Sequence, residues 1–334
     1  MKRADTTDRE ARLAERRARL SAEQRGLLEQ RLRTRSPRAE AAPAASPSLV
    51  AIQPVGARPP FFCVHPAGGD VLCFQALSRH LGPDQPFYGL QSRGLAAGEE
   101  PFSSLEEMAA SYRAEIAGVS SGPYYLGGWS LGGAVAFELA RQLAAEGKEV
   151  ALLAIVDSTP GPWPPGTDVE DEQDDAYWLM EIADYLQRLW NVDLGLTGET
   201  LRALSPEARV DRFLAGLKGT PFGAAASPEP LRRLLGVFKA NVRAFRRYRP
   251  GPYPGRITLF RPADAGDPEG GMAAADPTRG WAALSPRPVE IETVPGDHIS
   301  ALAEPHVRTL AGRLRTRIDQ APGLDPGAPL PETP

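Results

Sequence analysis

Cysteine and histidine are scarce in this chain of 334 residues, which contains two cysteines and four histidines. Cys63 and Cys73 are too few for the disulfide framework of a small secreted domain, and both stand in apolar surroundings. We therefore expect them to be reduced core residues of a cytoplasmic protein. The four histidines leave few candidates for any role that needs an imidazole, such as that of a catalytic base.

The chain also has little excess charge and no long hydrophobic run. Its formal net charge is −4, whereas nucleic-acid-binding proteins carry a strong basic excess, so we expect no nucleic-acid partner. No apolar run approaches the ~20 residues that cross a bilayer, and the polar, charged N-terminus is unlike a signal peptide. We therefore expect a globular protein with no membrane partner.

The two ends of the chain differ in composition from the rest. Residues 1–35 are rich in charge and place leucines at helical spacing, which predicts helices that are either simply solvated or dock on another protein. Residues 36–48 form a Pro/Ala/Ser linker, and residues 320–334 form a Pro/Gly-rich tail for which we expect disorder. These boundaries leave residues 49–319 as the folded domain.

Short apolar runs alternate with helical patterns between these ends. The alternation predicts an α/β fold with a mostly parallel central sheet and helices on both faces. The predicted strands are Leu49–Gln53, Phe61–Val64, Pro86–Leu90, Tyr124–Gly127, Val150–Val156, Ile257–Phe260 and Val289–Val294. The predicted helices that separate most of them lie at about 73–81, 104–117, 131–146 and 304–318.

The alternation breaks between about residues 160 and 249. This interval contains only helical patterns, at Asp174–Trp190, Glu199–Lys218 and Pro228–Arg247. A helical insertion between two strands, near the C-terminal edge of a sheet, is typical of a lid over an active site. We therefore predict a lid at about 160–249.

The most specific motif is Gly128-Trp129-Ser130-Leu131-Gly132, which matches the nucleophile elbow G-x-S-x-G of α/β-hydrolases. An elbow places its serine on a strained turn between a strand and a helix, so the positions two residues away must be small. The motif here follows a strand pattern and opens an amphipathic helix, which is the context that the turn requires. We predict that Ser130 is a catalytic nucleophile.

The catalytic base should lie on a loop beyond the last strand, after both the nucleophile and the acid. His298 stands there, just after the strand predicted at Val289–Val294. His65 and His80 precede the nucleophile, and His306 falls within the last helix pattern, so structural roles suit these three better. We predict that His298 is the base.

Two aspartates at strand ends compete for the role of the acid. Asp264 follows the strand Ile257–Phe260, where hydrolases more commonly place this residue, but its Pro/Ala/Gly/Asp loop is typical of a solvated surface. Asp157 directly ends the apolar strand Val150–Val156, where a carboxylate is costly unless it is paired. We favour Asp157 and keep Asp264 as the alternative.

An acyl-transfer site also needs two backbone N–H groups that stabilise the oxyanion of the tetrahedral intermediate. The amide of Leu131, immediately after the nucleophile, is the first candidate. The second should come from the small-residue loop HPAGG after the first strong strand, and we choose Ala67, next to Gly68. We expect no metal and no cofactor at this site.

Five spaced segments of the chain resemble the thioesterase domains that end nonribosomal peptide and polyketide synthetases. They are FFCVHPAGG, YYLGGWSLGG, ALLAIVDS, YRPGPYPGRITLFRP and VPGDHISAL, and the resemblance runs from about Leu49 to Leu314. It implies the α/β-hydrolase fold with a helical lid, the acid at Asp157 and the second oxyanion amide at Ala67. It also implies the substrate, an acyl or peptidyl chain on the phosphopantetheine arm of a carrier protein.

The resemblance predicts a serine thioesterase that releases the chain by hydrolysis or cyclisation. Residues 1–35 resemble docking helices at synthetase module boundaries, so we expect a discrete thioesterase that docks on a synthetase subunit. An editing thioesterase, an esterase acting on small esters and an acyltransferase remain alternatives. A catalytically silent binding module is a further alternative, although all three triad candidates are present in order.

Overall fold

A computed structural model of the chain describes residues 48–161, 174–223, 226–264 and 276–322. The helices predicted at 1–35 lie outside the described residues, as do nearly all of the linker and most of the tail. Within the described ranges, no helix is long and apolar enough to cross a membrane.

A sheet of seven strands forms the centre of the described domain, with the spatial order β1-β3-β2-β4-β5-β6-β7. β1 pairs antiparallel with β3, and every other pair is parallel. The strands are β1 (Leu49–Gln53), β2 (Phe61–Val64), β3 (Phe87–Leu90), β4 (Tyr124–Trp129), β5 (Val150–Val156), β6 (Thr258–Pro262) and β7 (Glu290–Val294). The predicted α/β fold with a mostly parallel sheet is confirmed.

Both faces of the sheet are covered, which explains why its central strands are apolar at consecutive positions rather than alternating. Phe62 and Val64 of β2 point into one core, and Phe61 and Cys63 point into the other. The helices of the domain are α1 (Gln75–Leu81), α2 (Leu105–Ile116), α3 (Leu131–Ala145) and α8 (Val307–Gln320). Residues of α2 and α3 pack in the first core, and residues of α1 and α8 pack in the second.

A helical insertion joins β5 to β6 and has a hydrophobic core of its own. Its described helices are α4 (Asp175–Trp190), α5 (Gly198–Arg202), α6 (Pro206–Leu217) and α7 (Pro228–Arg247). One continuous helix over Glu199–Lys218 was predicted, and this is wrong because the chain breaks into α5 and α6. Proline has no N–H for an interior helical hydrogen bond, so Pro206 starts a new helix, which the Ser205 hydroxyl caps at the amide of Ala208.

The predicted catalytic residues converge at one edge of the sheet. Ser130 follows β4, Asp157 follows β5, and His298 lies four residues beyond β7. These three strands are parallel, so their carboxyl ends meet at the same edge, where ligands of open α/β sheets bind. The loop after β2, which contains Ala67, reaches that edge as well because β2 is parallel to β4.

Candidate active site

Ser130 occupies a strained turn between β4 and α3. Its backbone has φ 57° and ψ −131°, a conformation that a non-glycine residue adopts only when its surroundings enforce it. The flanking glycines allow the turn: a Cβ at Gly128 would lie 2.0 Å from the Gly132 carbonyl oxygen, and one at Gly132 would lie 2.3 Å from that of Val64. The elbow motif is therefore a packing requirement that sequence reasoning could recognise.

His298 bridges the other two predicted catalytic residues. Its Nε2 lies 3.1 Å from the Oγ of Ser130, and its Nδ1 lies 2.6 Å from Oδ2 of Asp157. Because a carboxylate only accepts, Nδ1 carries the hydrogen and Nε2 of the neutral ring faces the serine hydroxyl. The three side chains thus stand in the order acid, base and nucleophile that a serine triad requires.

Asp157 is buried and has a second partner, which is a cation. Its side chain is 2% exposed, and the guanidinium of Arg279 forms an ion pair with Oδ1, the oxygen that His298 does not use. The turn that presents Arg279 is fixed by Asp276, whose carboxylate accepts from the amides of Thr278 and Gly280. Sequence reasoning missed Arg279, because one arginine in a loop carries no recognisable signal.

Asp264 does not take part in this arrangement. It is exposed at the end of β6, where its amide donates to the Gly296 carbonyl oxygen at 2.9 Å. The carboxylate of Asp297, the sequence neighbour of His298, accepts from the Ile299 and Ser300 amides and pairs with Arg188 of α4. Asp264 and Asp297 thus have other contacts, and the carboxylate that His298 contacts is that of Asp157.

The indole of Trp129 connects the elbow to the histidine loop. Its Nε1 donates to the carbonyl oxygen of His298 at 2.9 Å, and its ring centroid lies 5.4 Å from that of the imidazole. The indole also stacks with Tyr185 of α4, with 5.9 Å between the ring centroids. Trp129 therefore helps to fix where the imidazole stands, a role that the variable position of the motif did not indicate.

The two predicted oxyanion donors come from two elements: Ala67 from the loop after β2, and Leu131 from the start of α3. The amide of Leu131 is the first of α3, and the first amides of a helix have no intrahelical acceptor. In the loop, the Pro66 carbonyl oxygen accepts from the Gly69 amide at 2.9 Å and from Nδ1 of His65 at 2.7 Å. The N–H of Ala67 belongs to the same planar peptide group as that carbonyl, so these bonds help to fix its direction.

His65 is fully buried beneath this loop, with its Nε2 2.9 Å from the Tyr112 hydroxyl. Burial lowers the pKa of His65 to about 4, although its bond to the Pro66 carbonyl opposes the shift. A histidine in the unfolded chain has a pKa of about 6.5. Between these values the unfolded chain binds a proton that the native chain does not, so this group makes native stability fall as the pH falls.

We expect a His65→Gln variant to lose less stability in acid than the wild type. Urea unfolding at pH 7 and pH 4.5 should show that the wild type loses about 2 to 3 kcal/mol more over this interval. Groups other than His65 affect both proteins alike and cancel in the comparison. An equal loss in the two proteins would contradict a neutral, buried His65.

A cavity of about 570 Å³ opens beside Ser130 and His298. Its walls are mostly apolar and come from the helical insertion, with Ala67, Gly68 and Trp129 on the side of the sheet. Three acidic side chains, Asp70, Glu181 and Asp184, also line it. Burial raises the pKa of Asp70 and of Glu181, and the charge of the nearby Asp184 raises the pKa of Glu181 further.

Across the described ranges, no group of three or more His, Cys, Asp or Glu side chains could hold a metal ion.

Comparison with known proteins places this chain in a family. The thioesterase domain model matches residues 59–318. A dimodular nonribosomal peptide synthase of Bacillus subtilis (strain 168) is 34% identical over 214 residues, which are 64% of this chain and 8% of that protein. Chondramide synthase cmdD of Chondromyces crocatus is 33% identical over 292 residues, or 83% of this chain and 7% of that protein. The chain thus spans less than a tenth of either relative.

Solved structures give the same answer. A four-domain nonribosomal peptide synthetase is 28% identical with a TM-score of 0.71, covering 86% of this chain and 21% of that one. The Vlm2 thioesterase domain bound with a dodecadepsipeptide is 27% identical with a TM-score of 0.59, covering 81% of this chain and 97% of that one. A covalent complex of the NocB thioesterase domain with a fluorophosphonate is 25% identical with a TM-score of 0.58, covering 81% and 99%. With its match over residues 59–318, this chain belongs to the thioesterase domain family, hydrolases that act on thioesters.

Proposed function

We propose that this protein is a serine thioesterase that releases an acyl or peptidyl chain from the phosphopantetheine arm of a carrier protein. The observation that carries the proposal is the chain of contacts Asp157–His298–Ser130 at the wall of an apolar cavity. The relatives supply the biosynthetic setting, since they are nonribosomal peptide synthetases with which this chain shares a thioesterase domain.

The geometry supports the following acylation step. His298 takes the hydroxyl proton as Ser130 Oγ bonds to the thioester carbon, and the carbonyl oxygen becomes an oxyanion near the amides of Ala67 and Leu131. Asp157 stabilises the imidazolium that forms. The carbon–sulfur bond then breaks, and His298 returns its proton to the departing thiolate. The product of this step is an acyl-enzyme on Ser130.

The second step transfers the acyl group from Ser130 to a nucleophile. A water molecule, or a hydroxyl or amine within the chain, gives up its proton to His298 while it attacks the ester carbon. The bond between that carbon and Ser130 Oγ then breaks, and His298 returns the proton to the serine oxygen. Water yields a linear acid, and an internal nucleophile yields a ring. The apolar lining of the cavity supports the binding of the acyl chain that both outcomes need, and restricted access of bulk water favours the ring.

A paired-substrate assay tests the thioester assignment. The protein should release the same acyl group faster from a thioester, formed with a carrier protein or with N-acetylcysteamine, than from the simple ethyl ester. Intact-mass analysis of the mixture with the acyl carrier should detect the acyl group on Ser130, and the released product should be identified as linear or cyclic. Faster turnover of the simple ester would reject the carrier-bound substrate in favour of an esterase.

A further inference from the structure

Helix α7 of the insertion presents two different faces. Leu231, Leu235 and Phe238 pack in the hydrophobic core of the insertion. Val237 and Asn241, four residues apart and therefore on one side of the helix, turn instead toward the loop after β2. Both are completely buried, so α7 contacts that loop through one apolar and one polar side chain.

Asn241 makes a hydrogen bond to the backbone of the loop that carries the second predicted oxyanion donor. Its Nδ2 donates to the Ala67 carbonyl oxygen at 3.0 Å, and its Oδ1 accepts from the Ser92 hydroxyl at 3.4 Å. A carbonyl oxygen only accepts, so the amide nitrogen must face Ala67. A buried polar side chain is costly unless it is paired, and this contact satisfies Asn241.

Ala67 is consequently fixed on both sides of its Cα. The preceding peptide group is held at the Pro66 carbonyl by His65 and Gly69, and the following one is held at the Ala67 carbonyl by Asn241. Val237 packs against the same loop, because a Cβ at Gly69 would lie 2.6 Å from its Cγ1. Without Asn241, the Ala67 carbonyl would lose this donor, and its peptide group would be free to turn toward another one.

We propose that Asn241 is a positioning residue that holds the Ala67 amide in the direction required for oxyanion stabilisation. Through it, the placement of α7 in the insertion determines how well the site on the sheet performs its chemistry. The inference rests on the proposed serine mechanism. It predicts that Asn241 affects the chemical step and not the binding of the acyl chain in the cavity.

A fluorophosphonate probe tests this role without a choice of natural substrate. In the labelling reaction, Ser130 Oγ bonds to phosphorus, fluoride leaves and the hydroxyl proton passes to His298, while negative charge develops on the phosphoryl oxygen. Intact-mass measurements at several probe concentrations separate the maximal labelling rate from the apparent binding constant. Asn241→Leu, similar in volume but without a donor, should lower the maximal rate about 10- to 100-fold and leave the binding constant within about threefold.

Two matched variants distinguish positioning from packing. Ser92→Ala removes the other hydrogen-bond partner of Asn241 and should label at the wild-type rate. Val237→Ala thins the apolar contact of α7 with the loop and should slow labelling less than Asn241→Leu does. If Asn241→Leu does not fold, as judged by thermal unfolding, Asn241→Ala replaces it, with a smaller expected loss because water can enter and donate to Ala67.

The possible failures are distinguishable. A wild type that the probe does not label would overturn the serine mechanism, and the role of Asn241 with it. A labelled wild type, together with a folded Asn241 variant that is labelled equally fast, would overturn the role of Asn241 alone. A variant that changes only the binding constant would also reject positioning, because it would assign Asn241 to the cavity.

Discussion

Replacing Ser130 with alanine should abolish thioester turnover, with kcat falling by at least about a thousandfold and binding of the acyl carrier retained. Removal of the nucleophile from a serine triad costs on the order of 10⁶ in kcat, with a residual rate supplied by the oxyanion hole and by binding. Alanine can adopt the backbone conformation of Ser130 as well as serine can, because both residues carry a single Cβ without branching. The variant should therefore fold normally and accumulate the loaded carrier as an unreacted complex.

Intact-mass analysis provides the measurement. The wild type should show a transient acyl adduct, and Ser130→Ala should show none at any time. Ser158 offers a matched control, because it is a buried serine that follows Asp157 and its hydroxyl donates to the nearby Thr159 carbonyl oxygen at 3.2 Å. Ser158→Ala should retain the adduct. Full product formation by Ser130→Ala would show that another group is the nucleophile.

Asp157→Asn should lower kcat by about 10⁴ and also lower stability. Asparagine has the same shape and tolerates the positive φ of 45° at this position, so the backbone is not strained further. The amide cannot stabilise the imidazolium that forms on His298, and it favours the wrong tautomer, which is the source of the kinetic loss. It also leaves Arg279, 18% exposed, without its counter-charge, which destabilises the fold.

Asp264→Asn is the matched control, since Asp264 was the competing candidate for the acid. It is exposed, so the substitution should leave kcat and the midpoint of thermal unfolding close to those of the wild type. Steady-state kinetics and thermal unfolding of both variants answer the question. A large loss in Asp264→Asn with little loss in Asp157→Asn would reverse the assignment of the acid.

The site residues that the sequence could predict are those whose chemistry restricts the backbone around them. Ser130 needs small residues at Gly128 and Gly132, and this requirement is visible as a motif. His298 is the predicted base because the chain has only four histidines and one of them follows the last strand. Asp157 was the better of two candidates because a carboxylate at the end of an apolar strand demands a partner, and the structure gives it two.

The residues that the sequence could not predict act through contacts that are distant along the chain. Arg279 meets Asp157 across more than a hundred positions, and Asn241 meets Ala67 across 174. A polar residue on an amphipathic helix is usually solvated, so nothing local separates Asn241 from its neighbours. The split between α5 and α6 was visible in principle at Ser205-Pro206, but the apolar spacing across it favoured one helix.

The separate hydrophobic core of the insertion has a consequence for how members of such a family could diversify. Substitutions at sites more than about 7–10 Å apart without shared partners affect stability independently. The walls of the cavity can therefore be rebuilt for a new acyl chain while the residues that do the chemistry stay unchanged. That freedom ends where the insertion contacts the site, at Tyr185 beside Trp129 and at Asn241 beside Ala67, because an exchange of the insertion that omits these side chains would alter the catalytic rate together with the choice of substrate.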